Sequence, residues 1–173
     1  LLIPRTDYRI EDNWDVIGLR ATGSNDVVVE DVFVPKHRTQ ITNDVTLRGR
    51  PGMAENTNYI YKIPFAQVFQ RAVSNSSIGA VEGAIDAFTT SAKTHVGKHG
   101  GKTAEDPNAQ MATTEAMIWV DATKTVMLRN FGEAIEAAAK GEVMQLERRL
   151  MQRSQASMVP KQAHHVVGEL LRA

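Results

Sequence analysis

The sequence predicts an α+β fold that is mainly α-helical, in which a short β-rich segment precedes a bundle of long helices. The strand signal is a β-branched run from Val27 to Val34, which stops at Pro35, a residue without a backbone N–H. The helical signal begins near Pro64, where apolar and small residues start to recur every three or four positions. With 173 residues, the chain is long enough to bury a core of its own.

The predicted β segment is too small to be stable alone. Besides Val27–Val34, a second short strand is predicted over Trp14–Leu19, and turn residues at 23–26 separate the two. Two or three strands form a marginal sheet, so we expect the sheet to continue in sequence outside this chain. The chain also begins at Leu1 rather than at methionine, and we therefore expect it to be a fragment of a longer protein.

The first two predicted helices have different signals. The first opens near Phe65 and is expected to bury a stripe of apolar and small residues. This stripe comprises Phe65, Val68, Phe69, Ala72, Val73, Ser76, Ala80, Gly83, Ala84 and Ala87. The second helix has clear ends, because Asp106 can cap its free N–H groups and Pro107 suits the first helical position. It continues to about Lys140, where Gly141 is expected to stop it.

A third helix is predicted over Met144–Arg172. Its inward residues are expected to be Leu146, Leu150, Ser157, Val166 and Leu170. Pro160 lies inside this helix and should kink or interrupt it, because proline lacks the N–H that a helix requires.

These elements predict a division of the chain into three parts. Residues 1–45 are assigned to the β-rich part and residues 64–173 to the helical bundle. Residues 46–63 are assigned to a linker, since they contain Pro51-Gly52 and several Asn and Thr residues.

Composition excludes several classes of function. The chain has 20 basic and 20 acidic residues, so it has no general attraction for nucleic acid or an anionic membrane. It contains no cysteine, which excludes disulfides and thiolate sites and is consistent with a cytoplasmic protein. None of its five histidines pairs with a carboxylate at helical metal-ligand spacing, so no metal site is predicted.

Two features could bind a ligand. Arg71 lies beside Phe69 and Val73 in the first predicted helix, where a cation needs an anionic or polar partner. That partner could be an electron-rich cofactor or the carboxylate of an ordinary salt bridge between helices. The loop Gly97–Lys102 combines glycines with basic residues. It could wrap a phosphate through its backbone N–H groups, or it could be a solvated connection.

One segment is specific enough to indicate a family. Residues 14–35 read WDVIGLRATGSNDVVVEDVFVP. They resemble the stretch that closes the middle β-domain in the acyl-CoA dehydrogenase superfamily and leads into its helical domain. The sequence departs from that pattern at Ala21, where glycine is common. The resemblance implies the end of a middle β-domain followed by a C-terminal helical bundle of this type, with the last bundle helix missing from the chain.

Two absences separate this sequence from the true dehydrogenases. Their FAD-contacting R-x-T-F-G motif is missing after the first predicted helix, where Gly97–Lys102 stands. Gln70 occupies a position where some dehydrogenases carry the catalytic glutamate, and an amide cannot abstract a proton. Gly18–Ser24 and the residues that open the second helix, Asp106 to Gln110, are more similar to the oxygenase components of two-component flavin-dependent monooxygenases.

This resemblance implies an enzyme that receives reduced FMN or FAD from a separate flavin reductase. It would hydroxylate an aromatic substrate (phenolic, steroid-derived or polyketide) through a C4a-hydroperoxyflavin. It also implies a homo-oligomer, a tetramer, in the cytoplasm. The alternatives are an acyl-CoA dehydrogenase that oxidises an acyl-CoA thioester with FAD, and a subunit that only assembles with others.

The resemblance also assigns candidate roles to residues. Arg71 occupies a position that borders the flavin in relatives, where its charge could stabilise reduced, anionic flavin. Ser74 lies about one helical turn further on, near the same face. Both are candidate catalytic residues, although the groups that touch flavin and substrate most directly are expected outside this chain. The candidate cofactor-binding residues are Arg71, Lys98, His99, Lys102, Thr22 and Ser24.

Overall fold

A computed structural model describes residues 1–40, 51–97 and 100–173 of the chain. The chain divides into two compact units, Leu1–Arg48 and Gly49–Ala173, and each is described by itself. The assignment of residues 46–63 to a linker stays a prediction.

The N-terminal unit contains a small antiparallel sheet. Strand β1, Arg9–Glu11, pairs with strand β2, Asp26–Val28, and places Ile10 opposite Val27. Every residue of both strands is exposed or half-buried. The sheet is therefore too small to cover an apolar face of its own, as expected for a two-stranded sheet.

The predicted extents of both strands, Val27–Val34 and Trp14–Leu19, were wrong. Strand β2 ends at Val28, which pairs with the first residue of β1, Arg9. Asp31, with a φ of 49°, then turns the backbone out of the extended conformation before Val34. Trp14–Leu19 forms a loop in which the Trp14 indole N–H donates to the carbonyl of Leu19 at 3.0 Å. Leu19 itself has a φ of 59°, which no strand accommodates.

The C-terminal unit contains three long helices within the described residues. They are α1 (Phe65–Ala92), α2 (Pro107–Lys140) and α3 (Leu146–Arg172). The ends of α2 confirm the sequence signals, since the Asp106 carboxylate accepts a hydrogen bond from the Asn108 N–H at 2.8 Å. Gly141 ends α2 with a φ of 72°. The predicted fold class, mainly helical with a small β part, is confirmed.

The core joins all three helices. Its buried cluster consists of Ile78, Val81, Val120, Val159 and Ala163. Pro160 lies between two of these residues in α3 and is itself exposed. The helix runs through it without a break, so the predicted interruption was wrong. Packing of Val159 and Ala163 in the core holds the helix together despite the missing proline N–H.

The buried face of α1 differs from the predicted one. Arg71, Ser74, Ile78 and Val81 face the core. The predicted stripe lies outward instead, and Val73, for example, is 60% exposed. In α3, Leu146 and Leu150 are also exposed, whereas Leu170 is buried as predicted. Helix α1 has apolar residues on more than one face, so the helical period alone did not identify the side that packs.

Alanine substitutions can test which face of α1 is buried. Ile78→Ala should lower the free energy of unfolding by about 2–5 kcal/mol, because it leaves a cavity in the core. Val73→Ala, on the predicted but exposed stripe, should change it by no more than about 0.5 kcal/mol. Chemical denaturation of the two variants measures both values. A larger loss for Val73→Ala would mean that the stripe is the packed face.

Candidate functional site

Arg71 is the sequence-predicted residue that the structure places most distinctively. Its side chain extends from α1 into the bundle and is 4% exposed. Its Nη2 donates to the backbone carbonyl of Gln152 in α3, at 3.5 Å. The hydrogen-bonding pattern turns the amide oxygen of Asn130 in α2 toward the same Nη2, at 2.5 Å. The amide nitrogen of Asn130 then donates to the carbonyl of Val126 at 3.3 Å.

These partners are neutral. Among the ion pairs of the described residues, none includes Arg71, so the predicted alternative of a salt bridge between helices is not found there. Burial lowers the pKa of Arg71, and the nearby positive charge of Arg129 lowers it further. An arginine nevertheless stays protonated at neutral pH. The structure therefore holds a buried positive charge without a carboxylate partner in its described part.

Glu133, a carboxylate on the same face of α2 as Asn130, is occupied by other groups. Arg148 donates to both of its oxygens, from Nε and Nη2, each at 2.6 Å. Gln152 Nε2 adds a hydrogen bond to Glu133 Oε2 at 2.9 Å, and Arg129 Nε lies 3.8 Å from Oε1. The hydrogen bonds from Arg148 are the main reason that the pKa of Glu133 lies below its usual range.

Arg71 also borders two spaces. One is an open groove of about 470 Å³ between α2 and α3, large enough for a small-molecule ligand. Trp119, Val126 and Met158 supply apolar surface to this groove, and Gln155 supplies an amide. The other is a cavity of about 20 Å³, the size of one water molecule, lined by the side chains of Gln67, Gln70, Asn130 and Arg153, among others.

The structure leaves Ser74 and Gln70 little chemical freedom. Ser74 is 3% exposed, and its hydroxyl donates to the carbonyl of Arg71 at 3.2 Å. Gln70 accepts a hydrogen bond from the hydroxyl of Ser157 in α3, at 3.4 Å. The Gln70 contact ties α1 to α3, whereas the Ser74 contact lies within α1, and neither side chain is a base.

The two N-terminal candidates lie in a turn. The Thr22 hydroxyl donates to the carbonyl of Leu19 at 2.8 Å. Its oxygen is also 3.5 Å from the hydroxyl oxygen of Ser24. Thr22 thus caps its own turn, and both side chains are exposed within their unit.

The two ends of the glycine-rich loop are joined by backbone pairing between α1 and α2. Val96 pairs with Lys102 across it, and the Gly97 N–H donates to the carbonyl of Gly101 at 2.8 Å. His95 Nδ1 lies 2.8 Å from the hydroxyl oxygen of Thr103 at the base. Lys102 is exposed. The predicted cofactor ligands Lys98 and His99 lie outside the described residues.

Sequence reasoning missed the polar network of α2 and α3 next to Arg71. Asn130 and Glu133 are three positions apart in α2, and Arg148 and Gln152 are four apart in α3, so each pair shares one helix face. That spacing was available as a signal. A polar face of a helix, however, is usually a solvated surface, so the spacing alone did not indicate a buried network.

Removal of the Glu133 charge should make stability less dependent on pH. The pKa of Glu133 is lowered on folding, so its contribution is present above about pH 5 and is lost as the pH falls through its folded pKa. Glu133→Gln should cost about 1 kcal/mol at pH 7, a modest value because the carboxylate is partly exposed. The cost should shrink in acid. Denaturation at several pH values tests this, with Glu115→Gln, at an exposed position of α2, as the control. An equal, pH-independent cost in both variants would contradict it.

Comparison with known proteins places this arrangement in a family. Residues 72–173 match the family described as "Acyl-CoA dehydrogenase, C-terminal domain". The oxygenase subunit HsaA of a flavin-dependent monooxygenase from Rhodococcus jostii is 39% identical over 158 residues, which is 88% of this chain and 40% of that protein. The oxygenase component of the FADH(2)-dependent resorcinol hydroxylase from a Rhizobium species is 34% identical over 78% of this chain and 34% of its own length.

A solved structure shows the same fold. The crystal structure of the 3-HSA hydroxylase from Rhodococcus sp. RHA1 superposes with a TM-score of 0.84 and 34% identity, over 98% of this chain and 44% of that one. The chain thus spans about 40% of the length of these proteins. Because the family match covers more than half of its residues, the chain belongs to the acyl-CoA dehydrogenase C-terminal domain family.

Proposed function

We propose that the chain is part of the oxygenase component of a two-component flavin-dependent monooxygenase that hydroxylates an aromatic (phenolic, steroid-derived or polyketide) substrate. The observation that carries this proposal is its similarity, across 88% of its residues, to a protein named as such an oxygenase subunit. The named resorcinol hydroxylase supports a phenolic substrate. A separate reductase would supply the reduced flavin. The proposed activity is that of the intact protein.

The bundle contains a group that fits a reduced flavin. Bound reduced flavin supplies the oxygen chemistry, while the protein supplies position and electrostatics. Arg71 carries a buried charge without a carboxylate partner among the described residues, and it borders an open groove. Such a cation favours an anionic group in a site of low dielectric constant. In their reduced form, both FMN and FAD can carry an anionic ring system of the kind that this cation favours.

The remaining site assignments are proposals of unequal strength. We propose that a flavin phosphate is contacted by Lys98, His99 and Lys102. The exposed position of Lys102, next to the backbone bond between Gly97 and Gly101, supports this proposal. Thr22 and Ser24 are proposed cofactor contacts that are exposed in their turn. Ser74 is a weaker proposal, because its hydroxyl already bonds within α1. The residue boundaries 1–45, 46–63 and 64–173 are proposed as the end of a β-domain, a linker and the helical bundle.

A second candidate is an acyl-CoA dehydrogenase, which the name of the matching family favours. Dehydrogenation of a thioester requires a base that removes a proton from the substrate. Gln70 is neutral and bonded to Ser157, so it supplies no such base at its position. This observation supports the hydroxylase.

Replacement of Arg71 tests its proposed role. In the intact protein, Arg71→Met should weaken binding of reduced flavin roughly tenfold to a hundredfold, the value of one charge-assisted hydrogen bond. Arg71→Lys keeps the charge, so its affinity for reduced flavin should fall less than that of Arg71→Met. Anaerobic titration with reduced flavin measures the affinity, and thermal unfolding shows that each variant is folded. Equal affinity in native protein and Arg71→Met would assign Arg71 a structural role.

The reaction itself separates the two candidate functions. With a flavin reductase, NAD(P)H and O₂, the intact protein should insert oxygen into a phenolic or polycyclic aromatic compound. It should not oxidise acyl-CoA thioesters, since Gln70 replaces one possible catalytic carboxylate and the R-x-T-F-G motif is missing after the first helix. Both assays are run side by side on one preparation. Turnover of an acyl-CoA with an artificial electron acceptor, without hydroxylation of any phenol, would favour the dehydrogenase.

The outward stripe of α1 supports a proposal about assembly. Phe65 and Phe69 are each about half exposed, and exposed apolar patches commonly mark contacts between proteins. We expect a homotetramer of the intact protein in the cytoplasm. Light scattering should give four times the subunit mass, whereas a strict monomer at micromolar concentration would contradict the assembly. No helix of the described residues has the length and apolarity to cross a membrane.

A further inference from the structure

The polar groups around Arg71 are arranged so that its charge is not neutralised. Its Nη2 is held by two neutral acceptors, the Asn130 amide oxygen at 2.5 Å and the Gln152 carbonyl at 3.5 Å. Glu133 lies one turn beyond Asn130 on the same face of α2, but Arg148 engages both of its oxygens. An asparagine thus stands where an aspartate of nearly the same shape would form an ion pair with Arg71.

We propose that Asn130 is a positioning residue, which fixes the guanidinium of Arg71 while leaving its positive charge available to an anionic group in the groove between α2 and α3. An amide oxygen satisfies an N–H donor without cancelling the charge of the cation. A carboxylate at the same point would attract the guanidinium strongly and would compete with any external anion. The identification of that anion as reduced flavin rests on the proposed function.

Two observations support this assignment. Asn130 is 3% exposed. With its amide oxygen toward Arg71, its amide nitrogen donates to the Val126 carbonyl at 3.3 Å, whereas the opposite orientation would turn an N–H donor toward the guanidinium. The other charged side chains of this region on α2 and α3 are Arg129, Glu133, Arg148 and Arg153. Glu133 is the carboxylate among them, and it is shared by two of the arginines.

The substitution Asn130→Asp tests the inference because it changes charge with little change of shape. In the intact protein, reduced-flavin affinity should fall about tenfold or more, the size of a lost charge-assisted contact. Thermal stability at pH 7 should be retained, since the new carboxylate would pair with Arg71. The matched control is Asn75→Asp, which adds the same charge at an exposed position of α1 and should leave the affinity unchanged.

A second measurement does not involve flavin. The folded-state pKa of the carboxyl group that Asn130→Asp introduces should lie below that of an unfolded aspartate, because Arg71 stabilises its charged form. Its stabilising contribution is therefore present above about pH 4 and lost below it. The unfolding temperature of Asn130→Asp, relative to native protein, should be higher at about pH 7 than at about pH 3.5. Asn75→Asp should show a smaller dependence.

The outcomes separate the two proposals. If native protein binds no reduced flavin, the proposed function fails, while the pH-dependent unfolding still tests the pairing of position 130 with Arg71. Flavin affinity in Asn130→Asp equal to that of native protein would overturn the inference, as would a stability difference that does not change with pH. If Asn130→Asp does not fold, Gln155→Glu replaces it, since the amides of Gln155 and Asn130 approach to 2.8 Å. An unchanged flavin affinity in Gln155→Glu would also overturn the inference about Asn130.

Discussion

A buried guanidinium at the meeting point of three helices constrains the rest of this bundle. An isolated charge is costly to remove from water unless hydrogen bonds satisfy it. Arg71 in α1 obtains these bonds from Asn130 in α2 and from the backbone of Gln152 in α3. The relative position of the helices must therefore keep both acceptors within reach of one side chain, a requirement that is more specific than apolar packing.

The burial of Arg71 also determines the charge of this region. Hydrogen bonds to neutral acceptors hold the guanidinium in place but do not cancel its field. Glu133 could have done so, yet its two oxygens form a bidentate pair with Arg148, which has the strongest geometry available to a carboxylate. The bundle thus retains a net positive charge beside an open groove. This combination, rather than any residue with evident nucleophilic or basic chemistry, makes the region suitable for an anionic cofactor.

The similarity to flavin-dependent oxygenase subunits and the chemistry of the site agree on this point. A flavin enzyme obtains its reactivity from the cofactor, so its helices need to supply shape, charge and the exclusion of water. The described residues supply a groove and a buried cation, while Gln70 and Ser74 are neutral groups bonded within the bundle. The chain spans about 40% of the length of its matched relatives.

The sequence by itself determined the family, the fold class and the local ends of α2. Residues 14–35, the cap at Asp106 and the left-handed glycine at 141 depend on local backbone chemistry, which is readable from neighbouring residues. Only the tertiary structure decided which face of α1 is buried. The helical period identifies spacing, but Arg71 is charged, and its burial depends on partners in α2 and α3 that are distant along the chain. The extent of β2 could not be predicted either, because it depends on where the partner strand β1 begins, and because Asp31 adopts a left-handed conformation inside a strongly β-prone run.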